Sequence, residues 1–116
     1  MRRGDVVLAD FPFQDIAGGK IRPAVVVQAD DESSANTILA MVTGHILQER
    51  DDTTILIDPG SSEGFGSGLR GPSIIKCRNI ATVRKQRILR VIGRLNDDTM
   101  RKVDSGLLMA LGLRQR

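Results

Sequence analysis

Arg22 stands directly before Pro23 and the apolar run Ala24–Val27, and this is the first place where the sequence could do chemistry. Proline disfavours helical backbone in the residue before it, so Arg22 is held extended where a loop becomes a strand. A guanidinium keeps its proton at any working pH and presents five donors in a planar fork, a shape suited to phosphate or a developing phosphorane. An ion pair with a loop carboxylate such as Asp15 is the structural alternative. Thr43 closes another apolar run just before Gly44. Its hydroxyl can donate to a substrate oxygen or simply bond the neighbouring backbone. His45 is the one side chain whose ordinary titration range lies near neutrality. It shares a face with Thr43 if the strand continues two residues, and is otherwise a loop histidine. Lys76 and Arg78 alternate around Cys77, so both cations project from one strand face, towards phosphate or towards solvent. Cys77 reads as a small buried residue, since no histidine adjoins it in sequence to activate a thiolate. Arg84, Lys85, Arg87, Arg90 and Arg94 extend a basic tract able to position nucleic acid without specifying its sequence.

Short strands must carry these groups. Apolar runs at Val6–Leu8, Ala24–Val27, Ile38–Val42, Thr54–Ile57, Ser73–Cys77 and Ile88–Ile92 are separated by turn-forming segments, with no helical pattern between them. That spacing predicts an antiparallel barrel or sandwich rather than βαβ units. The period then changes. After Asn96-Asp97-Asp98, the residues Met100, Val103, Leu107, Leu108 and Leu111 recur every three or four positions, which predicts a C-terminal helix with its apolar face on the barrel. Its acidic start suits an N-cap, Gly112 suits a C-cap, and Gly106 either weakens the helix or marks close packing. The glycine-rich stretch Gly60–Gly71 reads as a mobile loop carrying Phe65, which is either buried or free to stack on an unpaired base. It is not a P-loop, because no Gly-Lys-Ser/Thr follows.

The totals narrow the function. A chain of 116 residues with 41% hydrophobic and 27% charged residues is expected to form one soluble domain, residues 1–116. No apolar run approaches a bilayer span and the N-terminus lacks a secretory signal, so a cytoplasmic protein without a membrane partner is expected. A single cysteine excludes an intrachain disulfide and a multi-cysteine zinc site. With no H-E-x-x-H, carboxylate cluster or G-x-S-x-G, neither metal hydrolysis nor serine acyl transfer has a basis, and no cofactor is expected. Net charge is +3, but residues 1–69 carry 5 Lys/Arg against 11 Asp/Glu, whereas residues 70–116 carry 12 against 3. A basic half suits a phosphate-bearing partner, or else neutralises the acidic half within the fold.

Taken in order, RGDVV at Arg3–Val7, the segment FPFQDIAGGKIRPAVVVQ, MVTG ending the third strand, SIIKCRNIATV and the late IGRL resemble the MazF/PemK family of toxin endoribonucleases across nearly the whole chain. The resemblance implies a mainly β, SH3-like antiparallel barrel with a C-terminal α-helix. It also implies a homodimeric, metal-independent toxin that cuts single-stranded RNA at short sequences and is restrained by an antitoxin with an acidic, disordered tail. The family's catalytic pair falls on Arg22 and Thr43. Lys76, Arg78, Lys20, Phe13, Gln14, His45 and Arg84 make up the expected substrate-binding set. A C-D-Q pattern of several relatives reads C-R-N at Cys77–Asn79, a downstream Arg-Thr reads Ala81-Thr82, and Thr-Ser after the third strand reads Thr43-Gly44. Base recognition or dimer contacts are therefore expected to differ. The alternative from another class is a noncatalytic nucleic-acid-binding regulator or a CcdB-like gyrase inhibitor. The latter relies on a tryptophan-containing tail, and this chain has no tryptophan.

Overall fold

The computed structural model describes residues 1–11, 20–46 and 50–113. Six strands, β1 (Asp5–Phe11), β2 (Lys20–Val26), β3 (Asn36–Thr43), β4 (Thr54–Ile57), β5 (Ser73–Arg84) and β6 (Ile88–Arg94), precede one helix, α1 (Asp97–Leu111). All pairings are antiparallel, and the strands lie in the order β4-β5-β3-β2-β1-β6. The mainly β architecture with a C-terminal helix follows from the period-2 runs giving way to a 3.6 period after Asn96.

Alternation along the strands gives the sheet two apolar faces. Val6, Val25, Ala40, Val42, Ile75 and Cys77 pack beneath α1 against Met100 and Val103. Val7, Ala9, Ala24, Val26, Leu39 and Val83 form a second cluster on the opposite face. Because both faces are covered, β1 and β2 read as near-continuous apolar runs rather than strict alternation. The helix is capped as its sequence predicts: the Asn96 Oδ1 accepts from the Thr99 N–H at 2.8 Å, and Gly112 is left-handed with φ 69°. Leu111 departs from the expected apolar face. It is exposed.

The glycine-rich segment is pinned rather than mobile. Ser61 N–H and Phe65 N–H donate to Asp58 and Ser61 carbonyls at 3.0 Å each, Ser67 N–H donates to Gly64, and Arg94 N–H donates to the Gly66 carbonyl at 2.9 Å. The α1 end holds it from the other side, through Asn96 Nδ2 to Ser62 O and Thr99 Oγ1 to Glu63 O. A Cβ on Gly68 would stand 2.0 Å from the Ile92 carbonyl, and one on Gly93 2.2 Å from Ser67 backbone. Glycine here permits backbone to lie on backbone, so the loop covers the C-terminal half of the β6 edge and brings the open sheet towards a barrel. Phe65 is neither buried nor loose, standing 81% exposed on this fixed loop.

Candidate active site

Arg22 lies inside β2, two residues past its start, rather than at the strand's mouth. It pairs with Ala9 of β1, and Pro23 pairs with Leu8. On its other side, the β2–β3 ladder runs Val26↔Leu39, Val25↔Ala40 and Ala24↔Met41 and stops there, one residue from the proline. A residue without an N–H cannot extend a ladder, so a central strand that carries proline parts from its neighbour at that point. The same register carried two residues further sets Arg22 across from Thr43. Residues so opposed project to the same face, with Cβ atoms about 5 Å apart in a paired ladder.

That face is the one away from α1, because Arg22 shares the parity of Ala24 and Val26 and Thr43 that of Leu39. Arg22 is half-buried and Thr43 is buried at the last position of β3. The strand ends there. Gly44 bends the chain, and the His45 N–H turns back to donate to Thr43 Oγ1 at 3.2 Å. This bond fixes the hydroxyl and occupies an acceptor site, and among the described residues the hydroxyl proton goes to no partner. His45 itself does not continue the strand and is exposed. Its backbone, not its imidazole, meets Thr43.

Across β3, Met41 pairs with Lys76 and Thr43 with Ile74, so Lys76 is a diagonal neighbour of Thr43 on the same face. Lys76 is partly buried and makes no ion pair among the described residues. The register slips between Ala40 and Met41: Ala40 opposes Ile80 while Met41 opposes Lys76, leaving Cys77–Asn79 as an irregularity in β5. Arg78 sits in it, exposed, and its charge helps hold the Asp51 carboxyl below the usual carboxylate range, behind the larger effect of the Thr53 hydrogen bonds. Arg78 thus stands outside the regular ladder that places Lys76, within the irregularity of β5. Cys77 is buried, and burial, with Asp104 and Asp51 adding to it, pushes its thiol up to about 11. It is a packing residue, not a nucleophile.

Arg84 is set apart from this group. It opposes Asn36, at the far end of β3 from Thr43, seven residues or roughly 23 Å away at about 3.3 Å per residue. Lys20 opens β2 opposite Phe11, while Phe13, Gln14 and Asp15 lie outside the described residues. The structure thus gathers Arg22, Thr43 and Lys76 and leaves Arg84 remote. Among the described residues, no three of His, Cys, Asp and Glu come together in a metal-ligating group. None of the described helices is long and apolar enough to cross a membrane.

Part of the basic half is used within the fold. Arg94 pairs with Asp5 at 2.8 Å, Lys102 with Glu63, and Lys85 Nζ donates to the Asp31 carbonyl at 2.9 Å. Among the described residues Arg70, Arg84, Arg87 and Arg90 make no ion pair. One cleft of about 440 Å³ adjoins the site from the helix-side face of the sheet, bordered by Pro23 and Gly44, the residues that follow Arg22 and Thr43. The sequence contained no signal for it, because Leu8, Arg70 and Arg90 meet there only through the tertiary fold.

The family model of the PemK-like, MazF-like toxin of type II toxin-antitoxin systems matches residues 2–111. The chain belongs to this family. It is 34% identical to the Endoribonuclease MazF of Staphylococcus saprophyticus subsp. saprophyticus, with 97% of this chain and 92% of that protein covered. Among solved structures, an endoribonuclease in complex with its cognate antitoxin from Mycobacterial species superposes with a TM-score of 0.78 at 23% identity, covering 100% of this chain and 99% of that one. A MazE-MazF structure from Deinococcus radiodurans gives 0.74 at 18% identity, with 98% of both chains covered. These structures share the fold of the PemK/MazF-type chain described here.

Proposed function

We propose that this PemK/MazF-family protein is the toxin of a type II toxin–antitoxin pair and cuts single-stranded RNA at short sequences without a metal ion, using Arg22 and Thr43. The observation that carries this reading is that the two residues stand on adjoining strands whose register, carried two residues past the ladder's end at Ala24, sets them opposite each other, with Lys76 diagonal to Thr43. In the reaction the ribose 2′-oxygen forms a bond to the adjacent phosphorus as the bond from phosphorus to the 5′-oxygen breaks. The 2′-hydroxyl loses its proton, the leaving 5′-oxygen gains one, and the products are a 2′,3′-cyclic phosphate and a 5′-hydroxyl. DNA lacks the nucleophile. The transition state places extra negative charge on the phosphoryl oxygens, and a permanent guanidinium held on a strand is already oriented for it. Thr43, with its oxygen fixed by the His45 N–H, donates its proton to a nonbridging oxygen. Lys76 holds the scissile or neighbouring phosphate as a point charge.

The active form is a homodimer, as the family resemblance implies. Its restraint comes from an acidic antitoxin segment, in keeping with the antitoxin complexes among the solved relatives and with the basic character of residues 70–116. The test is incubation of the purified protein with a long unstructured RNA in EDTA, followed by mapping of the new ends. The expected outcome is cleavage at a small set of short sequences with cyclic-phosphate ends, DNA left intact, and a loss of about 10²–10³-fold in Arg22→Ala and in Thr43→Ala, both still folded. Full activity in both variants would reject the site. Tight RNA binding by the folded wild type without scission would assign the protein to the regulators.

A further inference from the structure

Gly44 and Gly71, which border one cleft, are not held to glycine by contact with the other described residues. At Gly44 and at Gly71 the φ is not positive, and no atom of the other described residues lies within 4 Å of where a Cβ would stand. By contrast Gly64, Gly68, Gly93 and Gly106 each meet backbone or a side chain within 3 Å of that point. A bare backbone that the fold does not need is what a closely approaching ligand needs. The cleft they flank, about 440 Å³, lies within the range of about 300–1,000 Å³ typical of small-ligand sites.

Its chemistry is that of a nucleotide. Leu8, Pro23, Leu69 and Ile92 supply apolar walls able to take the flat face of a base. Arg70 and Arg90 are exposed at its border and make no ion pair among the described residues, so both are available to a phosphate. No carboxylate offers competition nearby in the chain: residues 64–96 carry eight Lys/Arg and not one Asp or Glu. Position adds to this. Thr43 projects from the face away from α1 while the cleft lies on the other face, and Gly44 is the rim between them. A strand of RNA whose scissile phosphate meets Arg22 and Thr43 can fold over that rim only where no side chain stands.

We propose that the cleft is a subsite for the unpaired nucleotide next to the scissile linkage, its base between Leu8 and Leu69 and its outer phosphate on Arg90 and Arg70, reached by the chain passing over Gly44. The inference rests on the RNA-cleaving reading above and gives it a second contact region. An acidic peptide is the competing occupant. It is disfavoured because nothing in its recognition requires adjacency to Arg22 and Thr43.

The experiment compares kcat/KM on a cleavable RNA extended on both sides of the cut with two versions that keep the scissile linkage but end, on one side or the other, in a single abasic nucleotide. Gly44→Val and Arg90→Ala are the variants, with thermal melting as a check on folding. For one of the two ends, the extended RNA is expected to lose about tenfold in kcat/KM in each variant, mainly through KM, and the difference from wild type is expected to shrink to less than twofold once that end is reduced to the abasic nucleotide. Equal effects on all three RNAs, or no effect on any, overturn the subsite while leaving cleavage by Arg22 and Thr43 standing. Weakened capture of a poly-glutamate peptide by Arg90→Ala, with RNA kinetics unchanged, gives the cleft to an acidic partner and also overturns it. A wild type that binds RNA but cuts none removes the cleavage reading and this inference together.

Discussion

At Thr43 the structure separates two roles that one hydroxyl can play. Its oxygen accepts from the His45 N–H, which fixes where the group stands, and its proton is left to donate outward. Thr43→Ser keeps both capacities and is expected to stay within about tenfold of wild-type cleavage. Thr43→Val keeps the shape and loses the hydroxyl, so a fall of about 10²–10³-fold in kcat is expected from single-turnover cutting of a short RNA. A valine variant as active as the serine variant would leave the hydroxyl without a chemical role. Cys77 makes a different statement at the same scale, because its ionisation couples to folding instead of catalysis. In the folded chain its thiol is pushed up to about 11 from an ordinary value of 9.0, chiefly by burial. Between those values the native state holds a proton that the unfolded chain releases, so stability falls as pH rises from about 9 to 11. The loss attributable to this group is on the order of 2 kcal/mol, and urea unfolding across that range should show a shallower decline in Cys77→Ala.

Elements explain which parts of this site were legible in the sequence. Arg22-Pro23 announced an extended, aimed arginine, and the run ending at Thr43 announced a strand end. What links them is invisible locally: the β2–β3 register is set by strand pairing, and only that ladder, carried two residues past Ala24↔Met41, brings Arg22 across from Thr43. The spacing of Lys76 and Arg78 carries no mark of the irregularity opposite Ala40 and Met41, which only the β3–β5 ladder shows. The strands proved longer than their apolar cores, β5 reaching Arg84, because pairing with β3 resumes at Ile80 beyond the polar Arg78-Asn79 that end the first apolar run. Gly60–Gly71 was misread for a related reason, since glycine marks both loose chain and backbone in tight contact, and only the neighbours at Ile92 and Gly93 decide which. Gly106 is legible in both sequence and structure. A Cβ there would stand 2.7 Å from Cys77 Sγ and 3.0 Å from Ile55 Cδ1, so the glycine lets α1 settle on β5. Gly106→Ala is therefore expected to destabilise by about 1–3 kcal/mol despite alanine's better helix propensity. Adding Cys77→Ala should recover part of that loss, and denaturant midpoints of the four proteins in the cycle would measure the coupling. Strict additivity would mean that the two atoms do not meet.

Over the whole molecule, charge is distributed more sharply than the net value of +3 implies, and the fold decides which cations remain for a partner. Arg94 and Lys102 are drawn into pairs with Asp5 and Glu63, and Lys85 reaches the Asp31 carbonyl, so the acidic segment 30–32 partly offsets the tip joining β5 to β6. Lys76 stands beside Thr43, whereas Arg84 stands roughly 23 Å along β3 from it. The two cations must then act at different reaches. Under the proposed function, Lys76 is expected to meet the phosphates at the cut, and Arg84 only an RNA long enough to follow the sheet to the end near Asn36. Fluorescence anisotropy on the Thr43→Val background, whose cutting is expected to be slow enough for binding to be read, should separate them across a salt series. For long RNA, Lys76→Ala and Arg84→Ala are each expected to reduce the slope of log K against log salt by about 0.7, the amount for one phosphate contact on a single strand. For an RNA of only a few nucleotides around the cut, the Lys76 change should persist and the Arg84 change should vanish. Equal slopes for both variants at both lengths would mean that binding reads diffuse charge, and the distance between the two ends of β3 would then have no bearing on how the protein holds its substrate.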